Sequence, residues 1–218
     1  SIANSSIEKI AKYQKDISSS DVLTNENLIQ AELLYNRLGL FEKLFPVYLI
    51  SGILLLFFIF VRLAKPDSNF ALITKVILGV IVVTFIVHTL NLGLRWYVAG
   101  HAPWSNSYEA MLYISWSIIL AGILFAKQSD FAIATTSMFS GITLFVAHLS
   151  WLDPQITNLV PVLKSYWLTI HVSVITTSYG FLGLSALLGF ITLVLYIIVW
   201  VIKEEFVKEQ IVTNIKEA

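Results

Sequence analysis

The sequence predicts an all-α integral membrane protein with about five transmembrane helices and an N-terminal external arm. Two observations lead there. Apolar side chains make up 57% of the 218 residues and charged ones only 13%, where a soluble domain has roughly 45–50% and about 25%. Mean hydropathy is accordingly +0.79. The apolar residues also come in long runs divided by short polar breaks, and several runs reach the ~20 residues needed to cross a bilayer's hydrocarbon.

The same composition excludes several functions. Net charge is zero and no basic cluster occurs, so nucleic acid is not an expected partner. With no cysteine, the chain has no disulfide, thiolate metal site or thiol catalysis, and it carries no C-x-x-C-H haem-attachment site of its own. It begins at Ser1 with a polar segment rather than a charged stretch followed by an apolar one. Together with an end just past a helix exit, this reads as a fragment of a longer protein.

Residues 1–45 form the expected external soluble arm. Ser18, Ser19, Ser20 and Asp21 make a polar break. Asn25 followed by Leu28, Ala31, Glu32, Leu34 and Leu38 predicts a short amphipathic helix that Gly39 ends. The transmembrane domain covers 46–202. Its first span, about 46–63, opens on Pro46, suited to a first helical turn, and closes at Arg62, Lys65 and Pro66. The second runs over about 72–97. A loop with Gly100, His101 and Pro103 leads to the third, about 107–126, where Asn106 and Glu109 resemble an N-cap and its acidic partner. A purely structural role suffices for Glu109. After the polar turn Lys127–Asp130 comes the fourth span, about 131–151. A longer loop with Asp153, Pro154 and Pro161 precedes the fifth, about 165–202. At ~1.5 Å per residue that helix would be ~57 Å long and would project from the bilayer. Residues 203–218 form a tail.

Basic residues set the orientation. If the spans alternate, Arg62, Lys65, Lys75, Lys127, Lys203 and Lys208 share one side, against Lys43, Arg95 and Lys164 on the other. The larger group marks the cytoplasm, which places the arm and both aromatic loops outside, toward a periplasm. The chain is then a multi-pass membrane protein whose aromatic loops face a periplasm or its equivalent.

Four histidines are present, and all fall in or beside the outer half of the membrane: His88, His101, His148 and His171. An ionisable residue in a span is a functional hypothesis by default. A neutral imidazole can bind haem iron, or it can simply bond a neighbouring helix. Trp96, Tyr97, Trp104, Tyr108, Trp116, Trp151, Tyr166 and Trp167 mostly gather at the same face, as an aromatic belt or as flat apolar surface for a porphyrin. Trp167 and His171, four apart, share a helix face. Arg95, at a helix exit, suits a lipid headgroup, by snorkelling, or a haem propionate. Thr176 with Gly180, and Ser185 with Gly189, favour close helix contact. Residues 96–108 and 151–167 are expected to meet in one aromatic surface.

The wording of these segments carries a resemblance. Arg95-Trp96-Tyr97, Gly100-His101-Ala102-Pro103, Ser105-Asn106, Tyr108-Glu109 and Ser115-Trp116 are similar to the first external loop of CcsA-type cytochrome c biogenesis proteins. The run Leu159-Val160-Pro161-Val162-Leu163-Lys164-Ser165-Tyr166-Trp167-Leu168-Thr169-Ile170-His171-Val172-Ser173 resembles the segment carrying that family's first external haem-ligating histidine. The arm and first span resemble the fused CcsBA form. The resemblance implies a protein that moves haem b across the membrane and presents it to apocytochrome c, where thioether bonds form at C-x-x-C-H. It also implies a CcsB-type portion, in the same or a partner chain, and contact with membrane lipid. His171 matches the axial ligand, with Trp167, His101, Arg95 and Trp104 as haem surroundings. No catalytic residue is identified. The tryptophan-rich WWD segment, the second external histidine and the membrane-embedded ligand pair have no match. The fragment would therefore be part of a holocytochrome c synthase (a haem lyase) rather than a complete one. Two other functions compete: an electron-transfer subunit with bis-His haem b, for which His88 and His148 are the available pair, and a cofactor-free transporter scaffold.

Overall fold

The computed structural model describes the backbone of residues 2–17, 25–65, 70–127, 129–149, 151–157, 159 and 164–217, with side chains at 2–3, 15–17, 63–64 and 202–217 outside the description. The polar break at 18–21, Pro66, Pro161 and the side chains of Lys203 and Lys208 therefore lie outside the described residues. Among the described residues every regular element is an α-helix: α1 Ile2–Ile17, α2 Glu26–Leu38, α3 Leu40–Ala64, α4 Ala71–Ala99, α5 Ser107–Phe125, α6 Asp130–His148 and α7 Tyr166–Glu217. Five stretches are long and apolar enough to span a membrane, within 26–62, 71–99, 107–125, 130–148 and 166–201. The chain is a multi-pass membrane protein.

Local sequence explains the boundaries. The Asn25 side chain accepts the backbone N–H of Asn27 and so caps α2. Gly39 ends it in the left-handed conformation, with φ +49°, where a residue without Cβ carries no strain. The chain then turns directly into α3 at Leu40, so the helix that contains the first span begins six residues before Pro46. Pro46 lies well inside α3 rather than in its first turn, where it cannot donate a bond to the Glu42 carbonyl. At the other end of the chain, the tail expected from 203 continues as helix to Glu217, which makes α7 52 residues long, or ~78 Å.

The core is built on α6. This helix lies between α3 and α5, while α4 rests on α3 and α7 on α5. Small residues let the helices approach. A Cβ on Gly141 would meet the backbone of Leu49 at 2.6 Å, and one on Gly52 would collide with the backbone of Met138. Between these contacts Ser137 donates to the Tyr48 carbonyl at 2.9 Å, and Ser115 and Ser140 share a bond of 2.6 Å. Hydrogen bonds of this kind join helices where no solvent competes. Of the two small-residue pairs on α7, Thr176 and Gly180 are buried against α5, whereas Ser185 and Gly189 face outward with open space over Gly189.

The ends of the bundle are distinct. At one, Arg62 of α3 pairs with Asp130 of α6 at 2.6 Å. At the other, the α4–α5 loop meets the segment between α6 and α7. These are the two ends that alternating spans require.

Candidate functional site

Arg95 organises the loop end. It points inward from the last turns of α4 and is fully buried, so it does not snorkel to a headgroup. Its Nε donates to Glu109 Oε1 at 3.0 Å. One terminal nitrogen donates to the Tyr35 hydroxyl at 2.7 Å and the Pro154 carbonyl at 3.0 Å, and the other to the Gln155 carbonyl at 3.3 Å. The guanidinium also lies over the Tyr108 ring, 5.1 Å from its centre. Glu109 is equally buried. Its Oε2 accepts both the backbone N–H and the hydroxyl of Ser105, at 2.9 and 2.6 Å, and its own N–H is capped by Asn106 Oδ1 at 2.8 Å. One ion pair thus ties α2, α4, α5 and the segment after α6 together. Sequence reading found the cap but missed the pairing. The available signal was two opposite charges flanking a single short loop.

The loops around this clamp meet as expected. The His101 ring nitrogens face two backbone carbonyls, Ala102 at 3.2 Å and Thr157 at 3.0 Å. A cleft of about 150 Å³ lies beside it, bounded by Trp96, His101 and Trp104 on one side and by Lys164, Leu168 and Val172 at the start of α7 on the other. From its wall an aromatic chain runs down between α4 and α5. Trp96 meets Trp104 at 5.5 Å, Trp104 meets Tyr113 at 4.7 Å, and Tyr113 then stacks on Trp116 at 5.6 Å. Tyr166 and Trp167 form a separate pair, 6.1 Å apart. The two loops therefore meet without merging their aromatic rings into one surface.

His171 is not in the cleft. It is exposed on α7, and Trp167, one turn toward the loops, is 77% exposed. At 100° per residue this face lies nearly opposite the Thr176–Gly180 side that contacts α5. The structure so separates the expected haem surroundings into two groups: Trp104 and His101 at the cleft, Trp167 and His171 on the outer face of α7. Arg95 lies behind the first group, with its donors directed to protein acceptors.

The other histidines are placed differently. His88 is fully buried, edge-on to Phe41 at 5.5 Å, with its Nδ1 3.5 Å from the Tyr48 hydroxyl. His148 is half exposed, 3.8 Å from Glu42 and stacked at 6.1 Å on Phe45. One is enclosed between α3, α4 and α5 and the other lies at the rim of α6, so they do not face each other as the axial pair of a haem would.

Comparison with known proteins adds the family. A family model described as cytochrome C assembly protein matches residues 104–217. Over 194 residues, 88% of the chain, the sequence is 50% identical to a protein called NrfI from Wolinella succinogenes, and the match covers 21% of that protein. It is 32% identical over 151 residues to cytochrome c biogenesis protein CcsA of Prochlorococcus marinus, covering 64% of this chain and 47% of that one. With CcsA of Guillardia theta it shares 35% identity over 122 residues, covering 54% and 40%. The chain spans less than half the length of these curated relatives.

Proposed function

The chain belongs to the family of cytochrome c assembly proteins, and on that premise we propose that it takes part in cytochrome c biogenesis by carrying haem to the outer face of a bacterial inner membrane. There the whole protein presents haem b to apocytochrome c, whose C-x-x-C-H cysteines add across the vinyl groups to form thioethers. Haem is cargo in this reading, and His171 is its axial ligand. The CcsB-type portion, the remaining ligands and the WWD surface belong to other parts of the assembly.

The observation that supports this reading is the state of the four imidazoles. His88 is enclosed, His101 is held between two carbonyls, and His148 neighbours a carboxylate. His171 is exposed on an apolar helix face, and no described residue makes a hydrogen bond to its ring. A ligand needs a ring nitrogen free to meet the iron. Trp167 on the same face supplies flat apolar surface beside that position. His101 and Trp104, across the helix, border the path by which a substrate would approach. Arg95 holds the loop that carries them.

The test is His171→Gly in the full-length protein. Haem retention and cytochrome c maturation should both fall to near background, and added imidazole should restore each in part by filling the vacated axial position. Replacement of His88 or His148 should have smaller effects, through helix packing. Wild-type haem spectra with full maturation in His171→Gly would overturn the assignment.

A further inference from the structure

The inner face of α4 buries Thr84, His88, Asn91 and Arg95, each three or four residues from the next and therefore in line. This polar column runs from the Arg95–Glu109 clamp toward the middle of the membrane. Thr84 satisfies itself on the Val80 carbonyl at 2.7 Å, and Arg95 is satisfied by its partners. Between them, His88 Nε2 and both amide atoms of Asn91 make no hydrogen bond of ordinary geometry to a described protein group, although the Leu112 backbone lies close to the His88 ring. Bilayer hydrocarbon offers no solvent to such atoms, and leaving three of them unpaired on adjacent turns is strongly unfavourable.

We infer that water is bound on the inner face of α4, bridging His88 Nε2 and the side-chain amide of Asn91. The pairing follows from position: residues three apart on a helix are neighbours on one face, so a water between the two side chains can bond to both. Water can donate and accept, as an imidazole nitrogen beside an amide requires, and buried waters make about three hydrogen bonds each. Close aromatic neighbours limit the size of the ligand. The Phe41 and Tyr48 rings lie 5.5 and 6.0 Å from the His88 ring, so the site takes water and not a porphyrin. The bridge continues the polar column from the clamp to His88 and gives that ring hydrogen-bonding neighbours on both sides, since Nδ1 faces the Tyr48 hydroxyl. This inference is independent of haem.

The test is water-edited solid-state NMR on the protein in phospholipid bilayers, with nitrogen-labelled histidine, asparagine and isoleucine. Magnetisation from water should reach the His88 ring and the Asn91 amide several-fold faster than it reaches the buried apolar residues Ile81 and Ile119. In Asn91→Leu, with unchanged Ile81 and Ile119 signals, transfer to His88 should fall several-fold. Transfer to His88 and Asn91 as slow as to Ile81 overturns the inference, whether or not the variant folds. A direct imidazole–amide coupling without water transfer overturns it as well, as does transfer to His88 that Asn91→Leu leaves intact.

Discussion

A guanidinium and a carboxylate, both fully buried at a membrane helix end, are tolerated because nearly all their hydrogen-bonding capacity is met. Arg95 directs donors to Glu109, Tyr35, Pro154 and Gln155, and Glu109 takes up Ser105 with its second oxygen. Removing one partner leaves the other charge buried and unmatched, an effect of about 3–5 kcal/mol. Arg95→Ala should therefore lower thermal stability in detergent by that order and free the 153–157 segment to proteolysis. Pairing it with Glu109→Leu should recover much of the loss, because no charge is then stranded. The Arg62–Asp130 pair is a useful contrast. Its side chains are about half exposed, so Arg62→Ala should cost under ~1 kcal/mol despite the shorter distance. Equal losses for Arg95→Ala and Arg62→Ala would refute the distinction. Sequence revealed the Asn106 cap because its signature is local. It could not reveal what Arg95 binds, since Tyr35 is 60 residues away in the chain and nothing in either residue's neighbourhood marks the other. The same holds for His88: its position on a span was legible, but its enclosure by Phe41 and Tyr48 depends on how α3 crosses α4.

Glycine has opposite meanings on different helices. Gly52 and Gly141 lie where α3 and α6 touch backbone to backbone, and the atoms a new Cβ would strike belong to Met138 and Leu49 main chain, which cannot rotate aside. Gly141→Ala should force the helices apart and destabilise the protein by about 1–3 kcal/mol, in the range of overpacked cores. Gly189→Ala meets open space and should be neutral or stabilising by up to ~1 kcal/mol, through helix propensity. Thermal melts of the two variants in the same detergent check the ordering, and a Gly141→Ala protein as stable as the parent would sink the close-packing account. The spans themselves were readable because apolar length, caps and breakers are all local. Pro46 misled, since a proline can also continue a helix beyond its first turn when the carbonyl it orphans is near the helix end. The partner of each small-residue face was not readable: Thr176–Gly180 and Ser185–Gly189 have the same spacing, yet only the first meets another helix.

The molecule as a whole is polarised along the membrane normal, and that polarity fixes what can be tested from outside a cell. Arg62 and Asp130 mark one end, while Arg95, His101, Pro154 and Thr157 converge at the other. The two groups therefore lie at opposite ends, and the orientation we propose from the bias of basic residues puts the first group in the cytoplasm. The fifth span leaves most of its apolar surface uncovered, with Val174, Leu182, Leu193 and Trp200 all exposed. In a bilayer such a surface faces lipid or other helices, and it keeps α7 from acting as a soluble appendage. These 218 residues contain no cysteine, so a single cysteine introduced among them, in a protein whose other segments are also freed of cysteine, reports position without background. Asp153 and Lys127 are exposed, one at each end. Asp153→Cys should react with a membrane-impermeant maleimide on intact cells, and Lys127→Cys only after the membrane is opened. The reverse pattern would place His171 near the cytoplasmic face, where haem could not be handed to an apocytochrome in the periplasm. The orientation and the proposed function would then fall together, with the helix packing untouched.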